Sequence, residues 1–183
     1  ADGDAAGDTL VGIENLEGSN TFADLLTGDT LGNEIFGLGG ADTLIGGVGA
    51  DTLRGGDGTD TVDYSASNAG IDVRLSAGNL GAGGHAAGDR LFEIEDVIGS
   101  TLNDEIEGDT GNNSLDGGAG DDTLIGGAGG DTLEGGAGSN EASYETAVAD
   151  VAADLQAGTG TQGDANGDVL RNIQILSGSA FND

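Results

Sequence analysis

A nine-residue phrase recurs in tandem, with Gly at its first, second and fourth places, Asp at the sixth and a large aliphatic residue at the eighth. Gly46-Gly47-Val48-Gly49-Ala50-Asp51-Thr52-Leu53-Arg54 runs directly into Gly55-Gly56-Asp57-Gly58-Thr59-Asp60-Thr61-Val62-Asp63. Gly117-Gly118-Ala119-Gly120-Asp121-Asp122-Thr123-Leu124-Ile125 runs into Gly126-Gly127-Ala128-Gly129-Gly130-Asp131-Thr132-Leu133-Glu134. The three residues around the aliphatic position suffice for a short strand with side chains alternating in and out. Thr before it is a good strand residue on the solvent side. The other six must turn the chain, and Gly permits the positive φ and close backbone approach that such turns need.

The period extends beyond the clean copies. The sixth place falls at Asp24, Asn33, Asp42, Asp51 and Asp60, and again at Asp104, Asn113, Asp122, Asp131 and Asn140. The eighth place carries Leu26, Ile35, Leu44, Leu53 and Val62, then Ile106, Leu115, Leu124, Leu133 and Ala142. The arrays cover residues 19–63 and 99–143. Their flanks repeat too: Gly3-Asp4-Ala5-Ala6-Gly7-Asp8 returns as Gly84-His85-Ala86-Ala87-Gly88-Asp89 and as Gly163-Asp164-Ala165-Asn166-Gly167-Asp168. The chain therefore divides into units at 3–83, 84–162 and a partial 163–183. It begins and ends inside units, which reads as a segment of a longer protein.

Two nonapeptides make one coil of strand, turn, strand, turn. Stacked coils give two parallel sheets with the aliphatic residues between them, and the crossovers should be right-handed. The expected fold is all-β: one continuous right-handed parallel β-roll, or β-solenoid. Two aliphatic side chains per coil are a thin core to set against the conformational entropy of Gly-rich turns. Something outside the chain must add stability.

Charge says what that is. With 34 acidic residues against 4 basic and a formal charge of −30, the chain repels nucleic acid and anionic membranes and attracts cations. Its high charge, abundant Gly and few aromatics would otherwise predict disorder. Cys is absent, which removes disulfides and thiolate metal sites. Calcium takes six to eight oxygens from carboxylates and carbonyls, and the recurring Asp and exposed Gly carbonyls offer both. Ligands that converge only in the coil turn ion binding into folding free energy.

The phrase resembles the calcium-binding β-roll repeat of the repeats-in-toxin (RTX) family, and the match is specific over residues 19–63 and 99–143. The resemblance implies an ion between turns one coil apart, shared by the sixth residues of motifs n and n+2. The implied pairs are Asp24 with Asp42, Asn33 with Asp51, Asp42 with Asp60, Asp104 with Asp122, Asn113 with Asp131 and Asp122 with Asn140. Carbonyls around the Gly positions would complete each shell: Gly37; Gly46, Gly47 and Gly49; Gly55, Gly56 and Gly58; Gly117, Gly118 and Gly120; Gly126, Gly127 and Gly129; Gly135 and Gly136. About six to ten calcium ions are implied by motif spacing. Asn33, Asn113 and Asn140 depart from the pattern with uncharged ligands. Leu38 and Leu31 replace Gly at the second and fourth places. The family also implies type I secretion and an extracellular, cell-surface location on a Gram-negative bacterium.

The segments between arrays read as wider coils that continue the solenoid, with strands at 71–75 and 151–155. Capping segments are the alternative. Asp8, Asp89 and Asp168 stand after Gly and before a strand, as the sixth residue does, and bind further calcium or serve as solvated turn residues. Tyr64 and Tyr144 should point inward and close the core where each array ends. His85, the only His, reads as a surface substitution.

No Lys, one His and no nucleophile–base constellation argue against catalysis within the chain. The reading is a calcium-dependent structural module of a secreted protein: an adhesin stalk, surface layer or self-assembling fibre. Its partners would be calcium, neighbouring copies stacked end to end, and a cell-surface polysaccharide. The alternative is a secretion and folding module attached to an extracellular protease, lipase or epimerase.

Overall fold

The structure is a computed structural model that describes residues 12–76 and 78–183, so Asp8 and the turn before it lie outside the described residues. β1 (Asn15–Glu17) precedes the first array, whose strands are β2 (Leu25–Thr27), β3 (Glu34–Gly40), β4 (Thr43–Ile45), β5 (Thr52–Gly58) and β6 (Thr61–Asp63). β7 (Asp72–Arg74) and β8 (Arg90–Phe92) follow, then β9 (Asp96–Ile98), β10 (Glu105–Glu107), β11 (Ser114–Asp116), β12 (Thr123–Ile125), β13 (Thr132–Glu134) and β14 (Glu141–Ser143). β15 (Ala152–Asp154), β16 (Thr159–Gln162), β17 (Val169–Arg171) and β18 (Ile175–Ser177) complete the series. The fold is a parallel β-roll.

One face is a nine-stranded sheet in the order β15-β16-β17-β13-β11-β9-β6-β4-β2. The opposite face is two sheets, β1-β3-β5-β8 and β18-β14-β12-β10-β7. Strands two places apart in the chain pair in parallel with aliphatic residues in line, as Leu44 opposite Val62 and Ile106 opposite Leu124. These side chains meet between the faces and are fully buried from Ile35 to Leu133. The core is one side chain deep per strand, as the nonapeptide period requires.

The second turn position is left-handed wherever Gly holds it: Gly47 has φ 92°, Gly118 φ 86° and Gly127 φ 90°. A side chain there clashes with its own backbone, which is why Gly recurs. Leu38 accepts φ 75° at this same place.

The opposite face is split, rather than continuous as the two-sheet expectation had it, because the linker makes a detour. After β6 the chain lays down β7, which pairs with β10 of the next array. It then returns antiparallel, with Asp72 opposite Ala82 and Leu80 opposite Arg90, before β8 joins β5. In the second unit β15, β16 and β17 make the same reversal, joining β13 within the nine-stranded sheet. The two detours thus sit on opposite faces, and the second unit is turned by half a coil relative to the first. The strands expected over 71–75 and 151–155 are each three residues long. Ile71 turns the corner into β7, and its N–H goes to the Asp104 side chain instead of a ladder partner.

Candidate metal centres

Each sixth-place residue sits at the corner between turn and strand, with its side chain folded back along the roll. In six of the ten its Oδ1 accepts the N–H of the sixth residue one coil earlier. Asp24 N–H donates to Asp42 at 2.8 Å, Asn33 to Asp51 at 2.7 Å and Asp42 to Asp60 at 2.8 Å. In the second array Asp104 donates to Asp122 at 2.9 Å, Asn113 to Asp131 at 2.8 Å and Asp122 to Asn140 at 3.0 Å. All six motif pairs named from the sequence are therefore in direct contact, through a main-chain donor and a side-chain oxygen.

The second side-chain oxygen divides the ten residues into two sets. Oδ2 of Asp42, Asp51, Asp60, Asp122 and Asp131 is buried with no hydrogen-bond donor among the described residues. Leaving a buried carboxylate oxygen bare is costly, and a cation is the partner that removes the cost. Each lies beside the first Gly of its own turn. An added Cβ at Gly37 would strike Asp42 Oδ2 and stand 2.6 Å from the Gly55 carbonyl oxygen one coil on. At Gly117 it would stand 2.5 Å from Asp122 Oδ2, and at Gly46 and Gly126 it would strike Oδ2 of Asp51 and Asp131. At Gly37 and Gly55 the absent side chain leaves a cradle lined by a carboxylate and a main-chain oxygen, the donor set a hard divalent cation takes. Among the described residues no three acidic or imidazole side chains converge, so such an ion relies on main-chain carbonyls for most of its shell.

In the other five residues that oxygen has a donor, or an amide stands there instead. The Ser19 N–H reaches Asp24 Oδ2 at 2.5 Å, and the Ser100 N–H reaches Asp104 Oδ2 at 2.6 Å. The N–H groups of Asp29 and Asp109 cap Asn33 and Asn113 at 2.9 Å. Asn140 donates its Nδ2 to the Asn172 carbonyl at 3.2 Å.

Asp89 and Asp168 are neither solvated turn residues nor bare carboxylates. Both are buried and extend the ladder, accepting the Asp51 N–H at 2.8 Å and the Asp131 N–H at 2.9 Å. Their second oxygens are taken by tyrosine: Tyr64 Oη donates to Asp89 at 3.0 Å and Tyr144 Oη to Asp168 at 2.8 Å. The expected inward-pointing tyrosines therefore bring a neutral donor to the place where the regular turns leave an oxygen bare. His85 is only partly exposed, in a single 3-10 turn at Gly84–Ala86.

Sequence reasoning missed Glu95 and Gln174, which accept the N–H groups of Asp60 and Asn140 at 2.8 and 2.7 Å. Both stand two residues before an inward aliphatic, Val97 and Leu176, the offset of every sixth-place residue. That offset was the available signal; the missing Gly hid it.

Burial pushes the carboxyls upward. Asp122 and Asp131 are each raised to about 6, and Asp89 to about 7, against the pull of the N–H donors they accept. Burial also raises Asp51 and Asp60.

Comparison with known families matches residues 27–62, 98–133 and 125–141 to the RTX calcium-binding nonapeptide repeat (4 copies). No curated protein matches the chain.

Two outcomes are expected. Tyr64→Phe strands a buried oxygen of Asp89 and should cost about 1–3 kcal/mol in calcium-saturated thermal unfolding. An unchanged transition would mean the hydroxyl is dispensable. The second concerns pH. Folded Asp122 and Asp131 titrate at about 6 against 3.8 ordinarily, so between those values the ion-free folded chain retains protons that the unfolded chain has lost. Its stability should be greatest below about pH 4 and decline as pH rises through 6. In chelator the residual folded fraction, followed by circular dichroism, should be largest below about pH 4 and fall towards the disordered chain as pH rises through 6, and Asp131→Asn should flatten this dependence. The same protonation competes with metal, so the calcium needed for folding should increase below about pH 6.

Proposed function

The chain carries RTX calcium-binding nonapeptide repeats, a calcium-binding module typical of secreted proteins, and on that premise we propose that it is a structural element of an extracellular assembly, disordered without calcium and rigid with it. The five bare, buried carboxylate oxygens carry this reading, because a folded roll without cations would hold them all unpaired. Asp42, Asp51, Asp60, Asp122 and Asp131 would each hold calcium, with carbonyls of the Gly-rich turns completing the shells. A chain of charge −30 stays expanded by self-repulsion in low cytosolic calcium, suits passage through a secretion channel, and folds on meeting calcium outside.

The role as stalk, surface layer or fibre draws support from the repeated unit. β10 of the second unit adds to β7 of the first within one sheet, and the same kind of edge addition would extend an array. The ends carry apolar side chains in solvent, with Phe22 and Leu25 near β2, and Ile175 and Phe181 near the last strand. On this reading a neighbouring copy stacks at the ends, and a cell-surface polysaccharide is the adhesion partner.

Sedimentation of the chain from chelator to millimolar calcium tests the proposal. A slow, expanded monomer should become a faster, compact one, and growth into large species would assign self-assembly. No response would sink the calcium reading. Within that titration Asp42→Ala should shift the calcium midpoint of folding upward more than Asp72→Ala, since Asp42 is buried in the ladder and Asp72 lies on the outer surface beside Arg74. Equal midpoints would contradict the assignment of Asp42.

A further inference from the structure

The last nonapeptide turn of each array stacks on a turn of different sequence, Phe92-Glu93-Ile94-Glu95 in the first unit and Arg171-Asn172-Ile173-Gln174 in the second. The two junctions agree bond for bond. Asp60 N–H donates to Glu95 Oε2 as Asn140 N–H donates to Gln174 Oε1. The N–H groups of Glu95 and Asp96 return to the Asp60 carbonyl, as those of Gln174 and Ile175 return to the Asn140 carbonyl. Glu93 and Asn172 take the same left-handed conformation, φ 56° and 51°.

They differ at one pair of atoms. Above Gly135 the Asn140 amide nitrogen meets the Asn172 carbonyl, donor to acceptor, at 3.2 Å. Above Gly55 the same place holds Asp60 Oδ2 and the Glu93 carbonyl, acceptor against acceptor. Asp60 is fully buried and its Oδ2 has no donor. The charges of Asp42, Asp96 and Glu93 add to the repulsion on it. No group among the described residues resolves this arrangement, and the second unit shows that a positive partner between the two groups would.

We propose that a calcium ion bridges Asp60 Oδ2, the Glu93 main-chain oxygen and the Glu95 carboxylate, closing the first array onto a turn that is not a nonapeptide, while the Asn140 amide closes the second array without metal. This rests on the calcium reading above and gives the Asp60 ion ligands, the Glu93 carbonyl and the Glu95 carboxylate, that no nonapeptide turn supplies. The two units then differ in ion content although they share one fold.

The test counts bound calcium on the whole chain by native mass spectrometry, with affinity from calorimetry. Asp60→Asn should recreate the Asn140–Asn172 bond, keep the fold by circular dichroism and bind one ion fewer. The reciprocal Asn140→Asp, Gln174→Glu pair should bind one more. Should Asp60→Asn fail to fold, Glu95→Gln decides: Gln174 already makes the equivalent bond, so the fold holds, and one ion should be lost or weakened about tenfold or more. A wild-type count after Asp60→Asn, or a wild-type count and affinity after Glu95→Gln, overturns the site. A chain that binds no calcium at all overturns the earlier reading instead.

Discussion

The structure depends on one repeated interaction, the main-chain N–H of a corner residue donating into the side-chain oxygen of the corner residue one coil on. It fixes the spacing of the coils and draws the sixth-place side chains that accept it inward, away from water. Its consequence is that the carboxylate must do something with its second oxygen. In a core one aliphatic side chain deep per strand, that oxygen decides whether a coil is stable without help. A bare buried carboxylate opposes folding by more than its single N–H bond contributes, so the ladder that shapes the roll also creates the demand that the proposed calcium ions would meet.

The chain answers the second oxygen in several ways, and the differences are chemical, not topological. Serine turns at Gly18-Ser19 and Gly99-Ser100 offer their own N–H. Asn140 exchanges the oxygen for an amide donor. The detours bring in a tyrosine hydroxyl from the end of the preceding array. Only the Asp residues of the Gly-rich turns within the arrays, with Asp60 at the border, are left without an answer from the chain. The neutral solutions gather at array starts and at the detours, where a turn meets sequence that lacks the repeat and where the second carbonyl wall of an ion cradle would be hardest to build.

Much of this was legible beforehand. The inward aliphatics from Ile35 to Leu133 follow from alternation in three-residue strands, and the 18-residue partnership follows from two motifs per coil. Position-two Gly was legible because φ near 90° excludes most side chains. The detours were not. Ile71, Val73 and Leu75 do alternate inward, but no periodicity says that β7 pairs forward with β10 before β8 pairs back with β5. The Tyr64–Asp89 bond was hidden for the same reason: its partners lie 25 residues apart and meet only through that reversal. Spacing also hid Glu95, which takes a corner role without any Gly before it.

The half-coil turn between units follows from the detour and bears on how an array of units would present itself. Each detour adds strands to one face only, so the next unit resumes on the opposite face. A surface feature of one unit then recurs on alternate sides along the roll, and a partner reading one side meets it at every second unit. Charge repulsion among ion-free turns would act along both edges equally, so neither edge could order while the other stayed expanded. Ion binding at one edge therefore prepares the other, because both edges share the same strands, and the two array ends differ in what they ask for: the Asn140 amide closes the second from within the chain, while Asp60 leaves the first with a bare oxygen.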